Sequence, residues 1–364
     1  MAEIRRAQIV AFYLFDVAET ADLSQVPSLI GGPAVPARLA PKPATPAYVQ
    51  YDKPPLSFDG EAVGVAAIGR YHPRVRVYDY GVVSVALTQA FSGSWQELIA
   101  HSQTLLENAG LERDAEGLCR SVVDRLRPAL TTSRDRFLAE DYVVFAIHEL
   151  ERPLRAEALV AERGDEIATL LRGERQALST QERDKVLAHQ ISYFADDLVV
   201  PTWNAALVYD TPAGSQATLE ILEFANSQLL EYRHYDELLD DQLESIYKRL
   251  QRPRRLDQWI GSRYTREARQ VHSLFIDVNE LTDRTENTIK FIGDLYAVRL
   301  FGLVADRLGL GTWKADVEAK LKTLDDIYRF TVEQTAMSRG HFLELIVVII
   351  LLLELAMILL GIMR

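Results

Sequence analysis

The sequence predicts an α+β protein with three parts: a mixed α/β head at the N-terminus, an antiparallel helical stalk, and a single C-terminal transmembrane helix. Up to residue 212, runs of β-branched and aromatic residues alternate with helical patterns. From residue 213 onward Pro253 is the only proline, and apolar residues recur at spacings of three and four. The last residues, from Phe342 to Met363, are apolar except for Glu344 and Glu354.

These changes of composition predict five segments along the chain. In order they are a first strand region of the head (1–26), a loop or linker rich in proline and alanine (27–55), the remainder of the head (56–212), the helical stalk (213–339) and the membrane tail (340–364).

Strands and helices of the head are predicted from alternation, capping residues and chain breakers. Ser94 is expected to cap a helix that Gly110 ends, and Pro201 is expected at a sheet edge or bulge. The remaining predictions are a strand at 8–15, a hairpin around His72-Pro73, a helix at 115–126, a strand at 141–150, two helices before residue 197 and a last strand at 199–210.

The stalk is predicted as three antiparallel helices. The first carries a coiled-coil-like seam, the second ends near Gly309, and the third continues toward the tail, with Gly340 as its weakest point. The seam residues of the first helix are Leu222, Ala225, Leu229, Tyr232, Asp236, Leu239, Leu243, Ile246 and Leu250. On the third helix Val317, Leu321, Leu324 and Tyr328 share one face.

The tail has the length of a membrane-spanning helix. Its sixteen Leu, Ile, Val and Phe residues favour insertion by about 5–10 kcal/mol, whereas a central carboxylate such as Glu354 costs about 3 kcal/mol. Arg329 and Arg339 precede the tail, so the positive-inside rule places the N-terminal bulk in the cytoplasm. We therefore expect a tail-anchored, single-pass protein of the inner membrane; the alternative is a buried core helix.

Composition limits the classes of partner. A formal net charge of −12 argues against broad nucleic-acid binding, which requires a basic surface. Cys119 is the only cysteine, which rules out an intrachain disulfide and a cysteine zinc cluster and agrees with a reducing compartment. On an amphipathic helix, Cys119 is expected as a small core residue.

No familiar catalytic or cofactor motif occurs in the sequence, so no enzyme activity, cofactor or metal is predicted. Glu231 and His234 have the spacing of one half of a di-iron motif, but a second copy is missing, and a solvated helix face is the competing interpretation.

Two groups of residues are candidates for a function. Arg252, Arg254 and Arg255 form a basic turn that could meet lipid headgroups or RNA phosphates, or stabilise the end of the preceding helix. Glu354, with Gly361 on the same helical face and Glu344 near the start of the tail, could mediate association of membrane spans or line a cation path in an oligomer.

Several stretches resemble the "required for meiotic nuclear division" family: YDYGVVSVAL, LAHQISYFADDLV, the helix ILEFANSQLLEYRHYDELLDDQLESIYKRL, and the terminal SRGHFLELIVVIILLLEL. His341 and Glu344 stand at the positions of a histidine and a glutamate that open the family's C-terminal span. The resemblance implies a membrane-anchored protein that supports translation by tethering or organising ribosomes. Because no presequence is evident, we expect a bacterial member.

Three hypotheses for the function follow. The leading one is a non-enzymatic, membrane-anchored scaffold that self-associates and whose head recruits a cytoplasmic partner such as the ribosome or a translation factor. The second is an oligomeric transport or channel assembly that uses Glu354. The third is an enzyme whose chemistry carries no familiar motif, which a ligand bound in the head would favour.

Overall fold

We analysed a computed structural model of the chain, which describes residues 3–31, 35–36, 54–60, 63–65, 69–106, 109–251, 276, 278–279 and 295–359. The strands are β1 (Ile4–Asp16), β2 (Thr20–Ala21), β3 (Val35–Pro36), β4 (Leu56–Asp59), β5 (Val63–Val65), β6 (Gly69–Val77), β7 (Val82–Gly93), β8 (Leu130–Thr131), β9 (Leu138–Leu150), β10 (Leu198–Pro201) and β11 (Ala205–Tyr209). The helices are α1 (Val26–Ile30), α2 (Trp95–Leu106), α3 (Ala109–Leu126), α4 (Ala156–Arg172), α5 (Thr180–Leu187), α6 (Pro212–Gln251), α7 (Leu295–Leu308) and α8 (Leu310–Leu359), with a short 3-10 helix at Arg127–Ala129.

Internal contacts divide the chain into two compact units. Unit 1 comprises Met1–His234 and Asp283–Trp313, and unit 2 comprises Tyr235–Thr282 and Lys314–Arg364. The predicted α+β class is confirmed, because unit 1 contains a large mixed sheet together with helices.

A nine-stranded sheet forms the centre of unit 1, in the order β10-β11-β9-β1-β7-β6-β4-β3, with β5 also paired to β6. The strand β1 pairs antiparallel with both β7 and β9, and its residues from Ile9 to Asp16 are buried. A strand buried on both faces reads as a continuous apolar run, which explains the sequence IVAFYLF. Within the described residues β11 and β9 form the one parallel pair.

Helices cover both faces of this sheet. Ile9 and Phe15 of β1 belong to a core that also contains Leu98 of α2, Leu126 of α3 and Leu171 of α4. On the opposite face α6 lies against the sheet, and α7 packs on α6 with the rings of Phe224 and Phe301 5.8 Å apart. All residues of α6 from 218 to 232 are therefore buried, rather than one stripe of them.

Local signals placed several elements correctly. Ser94 and Glu97 form a capping box at the start of α2: the Ser94 backbone N–H donates to the Glu97 carboxylate at 2.7 Å, and the Glu97 N–H donates to Ser94 Oγ at 3.2 Å. Pro201 lies in β10, which is the edge strand as predicted. Gly110, in contrast, lies in the first turn of α3 and does not end α2.

The hairpin predicted around His72-Pro73 is wrong, because β6 runs through both residues and the turn to β7 is at 78–81. Pro73 lies between the part of β6 that pairs with β5 and the part that pairs with β4. A strand tolerates proline where its ladder needs no N–H. The run 199–210 is likewise two antiparallel strands, β10 and β11, instead of one.

Unit 2 contains the C-terminal part of α6 and most of α8. Lys320 Nζ lies 2.7 Å from the carboxylates of both Asp236 and Asp240. The predicted apolar face of the third helix is confirmed at Val317, Leu321 and Leu324, which are buried, and α8 continues through Gly340 without a break. Most of the second predicted stalk helix lies outside the described residues, so the three-helix stalk stays a prediction.

The membrane prediction requires correction. Across the part of the chain that the structure describes, we find no helix with both the length and the apolar character that crossing a bilayer demands. A span needs about 20 consecutive apolar residues. The predictions of a C-terminal transmembrane helix and of a tail-anchored, single-pass protein of the inner membrane are therefore wrong.

Candidate functional site: a polar cleft beside a buried charge cluster

One face of β6 carries a row of basic residues. Side chains alternate between the two faces of a strand. Tyr71 and Val75 of β6 accordingly belong to the apolar core, whereas His72, Arg74 and Arg76 point to the side of the sheet that α6 covers. We call these three residues the basic row.

The strand register fixes what lies beside each member of the basic row. His72 is opposite Thr88 of β7, and Arg74 is opposite Asp59 of β4. Arg76 is opposite Ser57 of β4 on one side and Ser84 of β7 on the other. Three neighbouring strands, β4, β6 and β7, therefore bring these polar side chains together on a single sheet face.

Arg76 is the centre of a buried charge cluster. Its Nη1 atom lies 2.7 Å from Glu223 Oε2, and its Nη2 atom lies 3.7 Å from Glu220 Oε1. Its Nε atom donates to Ser57 Oγ at 3.1 Å. The side chains of Arg76, Glu220 and Glu223 are at most 7% exposed. Two carboxylates thus share one guanidinium away from water.

This arrangement affects Glu220 most clearly. Burial raises the pKa of Glu220, while the positive charge of Arg76 and a hydrogen bond from Gln216 oppose that rise. The nearby Glu223 adds to the rise and Arg74 opposes it. A carboxylate is costly to bury unless it is fully paired, so the Glu220 carboxyl takes up a proton more readily than an exposed glutamate does.

A cleft of about 380 Å³ opens next to the charge cluster. It lies among β1, β6, β7, the end of β4 and the first turns of α6. Its lining residues are Gln8, Val10, Asp59, Gly60, His72, Pro73, Arg74, Thr88, Gln216 and Leu219. Gln216 links the cleft to the cluster, because its Nε2 atom donates to Glu220 Oε1 at 2.9 Å.

Four polar side chains of the cleft lack a protein partner. In the described part of the chain, Gln8, His72, Arg74 and Thr88 make no hydrogen bond or ion pair through their side chains. Arg74 is partly buried, and its positive charge opposes the rise in the pKa of Glu220. These groups are therefore available to solvent or to a ligand.

The same face of α6 makes further polar contacts toward its C-terminus. The Tyr80 hydroxyl lies 2.7 Å from Ser227 Oγ. His234 Nδ1 lies 3.0 Å from Asp16 Oδ2, and Arg134 Nε lies 2.7 Å from the same oxygen. Five of the polar residues on this side of α6 are three, four or seven positions apart, as on one helical face: Gln216, Glu220, Glu223, Ser227 and His234. We call them the polar stripe of α6.

The sequence contains two signals for this site, although neither one belongs to a familiar catalytic or cofactor motif. The basic row appears as the alternation His72-Pro-Arg74-Val-Arg76, and the polar stripe runs beside the apolar seam of the same helix. A polar stripe on an exposed helix is ordinary. It becomes informative once the helix is buried on all sides, and only the fold shows that burial.

The surroundings of Glu231 and His234 do not match the interpretation of these residues as half of a metal motif. Both residues lie on α6, Glu231 is buried, and His234 bonds Asp16 and Arg134. Within the described ranges no three histidine, cysteine, aspartate or glutamate side chains cluster as metal ligands. His234 therefore belongs to a hydrogen-bonded cluster between helix and sheet, not to a solvated face.

The residues predicted as functional are not brought together in the described part of the structure. Glu354 is exposed on α8. Glu344 lies in the same helix, but its side chain is outside what the structure describes, as are Gly361 and the basic turn of Arg252, Arg254 and Arg255. The predicted role of Glu354 depended on a membrane span, which the structure does not support.

Comparison with known proteins corrects the family. The family described as "Uncharacterized protein MJ0711, N-terminal domain" matches residues 6–216, more than half of the chain. "Uncharacterized protein MJ0711" of Methanocaldococcus jannaschii is 24% identical over 223 residues, which cover 60% of this chain and 66% of that protein. No solved structure matches. The resemblance to the "required for meiotic nuclear division" family is therefore wrong, and the chain belongs to the family of the MJ0711 N-terminal domain.

Proposed function

We propose that the protein is a non-catalytic binding protein, or scaffold, whose unit 1 binds a small polar ligand or a polar group of a partner in the cleft. The observation that carries this proposal is the set of four cleft side chains without a protein partner in the described residues. Ligand sites are concave, roughly 300–1,000 Å³ in volume, and contain a few placed polar groups. The cleft, at about 380 Å³, falls in that range.

Binding without catalysis is supported by what surrounds the candidate groups. General-base catalysis usually relies on a histidine or carboxylate held in place by a third group. In the described part of the structure no carboxylate orients His72, and Asp59 is exposed at the rim of the cleft. The buried acids Glu220 and Glu223 are engaged with Arg76 instead.

A scaffold role is further supported by unit 2. Five apolar side chains of α8, Val347, Val348, Ile350, Leu351 and Leu352, are each at least half exposed. Clustered exposed apolar residues are typical of surfaces that bind another protein. Self-association through α8 is therefore part of the proposal. The expected link to the translation machinery depended on the corrected resemblance, and no contact in unit 1 supports it.

The full chain is purified without gel filtration in high-salt buffer, which could remove a weakly bound ligand. Native mass spectrometry of this protein tests the proposal directly. We expect a bound small molecule, or binding of compounds from a metabolite panel in a thermal-shift assay. Thr88→Trp should fill the cleft and abolish binding, while Thr131→Trp, an exposed strand threonine outside the cleft, should not. Binding that survives Thr88→Trp would overturn the cleft as the site. Chemical conversion of the bound compound would favour an enzyme.

A further inference from the structure

The basic row of β6 extends further than the acidic residues of α6 that face it. Arg76 is matched by Glu223 and Glu220. One turn closer to the start of the helix, the polar stripe continues with Gln216, which is neutral. Arg74 and His72 therefore lie beside a part of α6 that carries no third acidic residue facing them. The cleft opens at this position.

Arg74 has the chemistry to hold an anionic group. A guanidinium offers five N–H donors in a planar fork that matches two oxygens of a carboxylate or phosphate. Arg74 forms no ion pair within the described residues, although Asp59 is its cross-strand partner. Partial burial strengthens a charge-assisted hydrogen bond relative to one in open water.

Neighbouring groups can supply the remaining hydrogen bonds. Thr88 is next to His72 across the strands and carries a hydroxyl, and Gln8 of β1 carries an amide. Leu219 and Val10 provide the apolar part of the lining. A ligand with one anionic end and a short body fits both the polar and the apolar sides of such a cleft.

Two acidic side chains near the cleft, those of Asp59 and Glu220, would repel an anion. Asp59 is exposed at the rim, where water and salt screen its charge. Glu220 is buried behind Gln216 and is already offset by Arg76. Neither one therefore outweighs a partly buried guanidinium that has no ion-pair partner in the described structure.

We infer that the cleft of unit 1 binds a small carboxylate or phosphate group through Arg74, with Thr88, Gln8 and His72 as supporting contacts. This inference depends on the proposed binding function and names the chemical class of its ligand. Arg76, in contrast, is a structural residue whose charge the protein already neutralises.

Titration of the full-length protein with defined probes tests the inference. Succinate and inorganic phosphate represent the two sources of the anionic group, succinamide is the neutral match for succinate, and putrescine is a cationic match. Sodium chloride at equal ionic strength controls for screening. Calorimetry and the thermal midpoint should show saturable binding of succinate, phosphate or both, and none of succinamide or putrescine.

Variants separate Arg74 from general charge effects. Arg74→Gln should weaken binding at least tenfold and Arg74→Lys by less, because lysine keeps the charge but not the bidentate geometry. Arg299→Gln on α7 removes the same charge from an exposed site and should change nothing. If Arg74→Gln does not fold, Arg74→Lys still tests the guanidinium, and Thr88→Trp tests whether the cleft is the site.

The outcomes distinguish this inference from the proposed function. Anion binding that is unaffected by Arg74→Gln would overturn the inference, and binding that also survives Thr88→Trp would place the anion outside the cleft. Binding of succinamide or putrescine alone, lost in Thr88→Trp, would overturn the anionic class but keep the binding function. If no probe binds and native mass spectrometry finds no ligand, both fail.

Discussion

The guanidinium of Arg76 lies 2.7 Å from the carboxylate of Glu223, and both side chains are at least 97% buried. This pair joins β6 to α6. An ion pair so well shielded is poorly screened by salt. It contributes less to net stability than its short distance suggests, because both charges lose their hydration.

Loss of Arg76 should therefore be severe. Arg76→Gln leaves two carboxylates buried without a cation, and we expect the free energy of unfolding to fall by about 3–5 kcal/mol. Urea unfolding followed by tryptophan fluorescence measures the change. Arg5→Gln removes a guanidinium from the exposed pair with Glu149 and should cost about 0–1 kcal/mol. Equal effects of the two variants would contradict a structural role for the buried cluster.

Glu220 should make stability depend on pH. Burial raises its pKa in the folded state above the unfolded value, so the folded state holds the proton more tightly. Its contribution to stability is then most favourable at low pH and is lost as pH rises through the raised pKa. Glu220→Gln, which cannot ionise, should gain stability relative to the wild type over that pH interval and keep the gain above it.

The urea midpoints of the wild type and of Glu220→Gln are measured at several pH values. The difference between the two proteins at each pH is free of the contributions that other titratable groups make equally to both. Glu97→Gln is the control of opposite sign, because hydrogen bonds from Ser94 lower the pKa of Glu97. A difference in urea midpoint between the wild type and Glu220→Gln that does not change with pH would show that Arg76 fully offsets the effect of burial on Glu220.

Two glycines should respond oppositely to the same substitution. Gly81, in the turn between β6 and β7, has φ +81°, and a Cβ there would lie 1.9 Å from the Ala18 carbonyl oxygen. Gly81→Ala should therefore strongly destabilise or unfold unit 1. Gly117 lies on α3 with open space around its Cα, so Gly117→Ala should stabilise by about 0.5–1 kcal/mol. Thermal unfolding of both variants gives the comparison, and a stable Gly81→Ala protein would exclude this turn geometry.

Cys119 should be chemically silent in the folded protein. The prediction of a core residue is confirmed, since its side chain is fully buried on α3, and that burial raises the pKa of the thiol. Both effects suppress the thiolate that reacts with maleimides. Labelling should be slow in buffer and fast in urea, with a rate that follows unfolding. Rapid labelling of the native protein would mean that α3 opens easily.

The exposed apolar residues of α8 should cause self-association. Replacing Val347, Ile350 and Leu351 by serine should lower the molecular mass measured by light scattering of the full-length protein. Leu295→Ser removes an apolar side chain that is 76% exposed on α7 and should leave the mass unchanged. The same mass in all three proteins would show that α8 does not mediate association.

Elements defined by local signals could be predicted from the sequence. The strand at 8–15 corresponds to β1, the strand at 141–150 to β9, and Ser94 caps α2 because capping depends on neighbours three residues apart. The errors in strand assignment occurred where long-range pairing decides the structure. Pro73 reads as a chain breaker in the sequence, yet it is accommodated in a gap of the β6 ladder that β4 and β5 create.

The candidate site could not be predicted for the same reason. Its lining residues come from Gln8 to Leu219, and the strand order together with the packing of α6 on the sheet brings them together. The mistaken family assignment has a related cause. It relied mainly on the helical C-terminal third, where apolar periodicity is shared by many unrelated proteins, whereas the family match covers residues 6–216. The sheet-forming region carries the more specific pattern.

The central position of β1 has a consequence for synthesis of the chain. During synthesis β1 emerges before both of its partners, β7 on one side and β9 on the other, and β9 ends at Leu150. At about 5–20 residues per second, synthesis of residues 17–150 takes roughly 7–27 seconds, and β1 waits for that time before both of its edges are covered. Until then an apolar strand with two open edges is exposed, so nascent chains that end before Leu150 should depend on chaperones more than chains that extend beyond it.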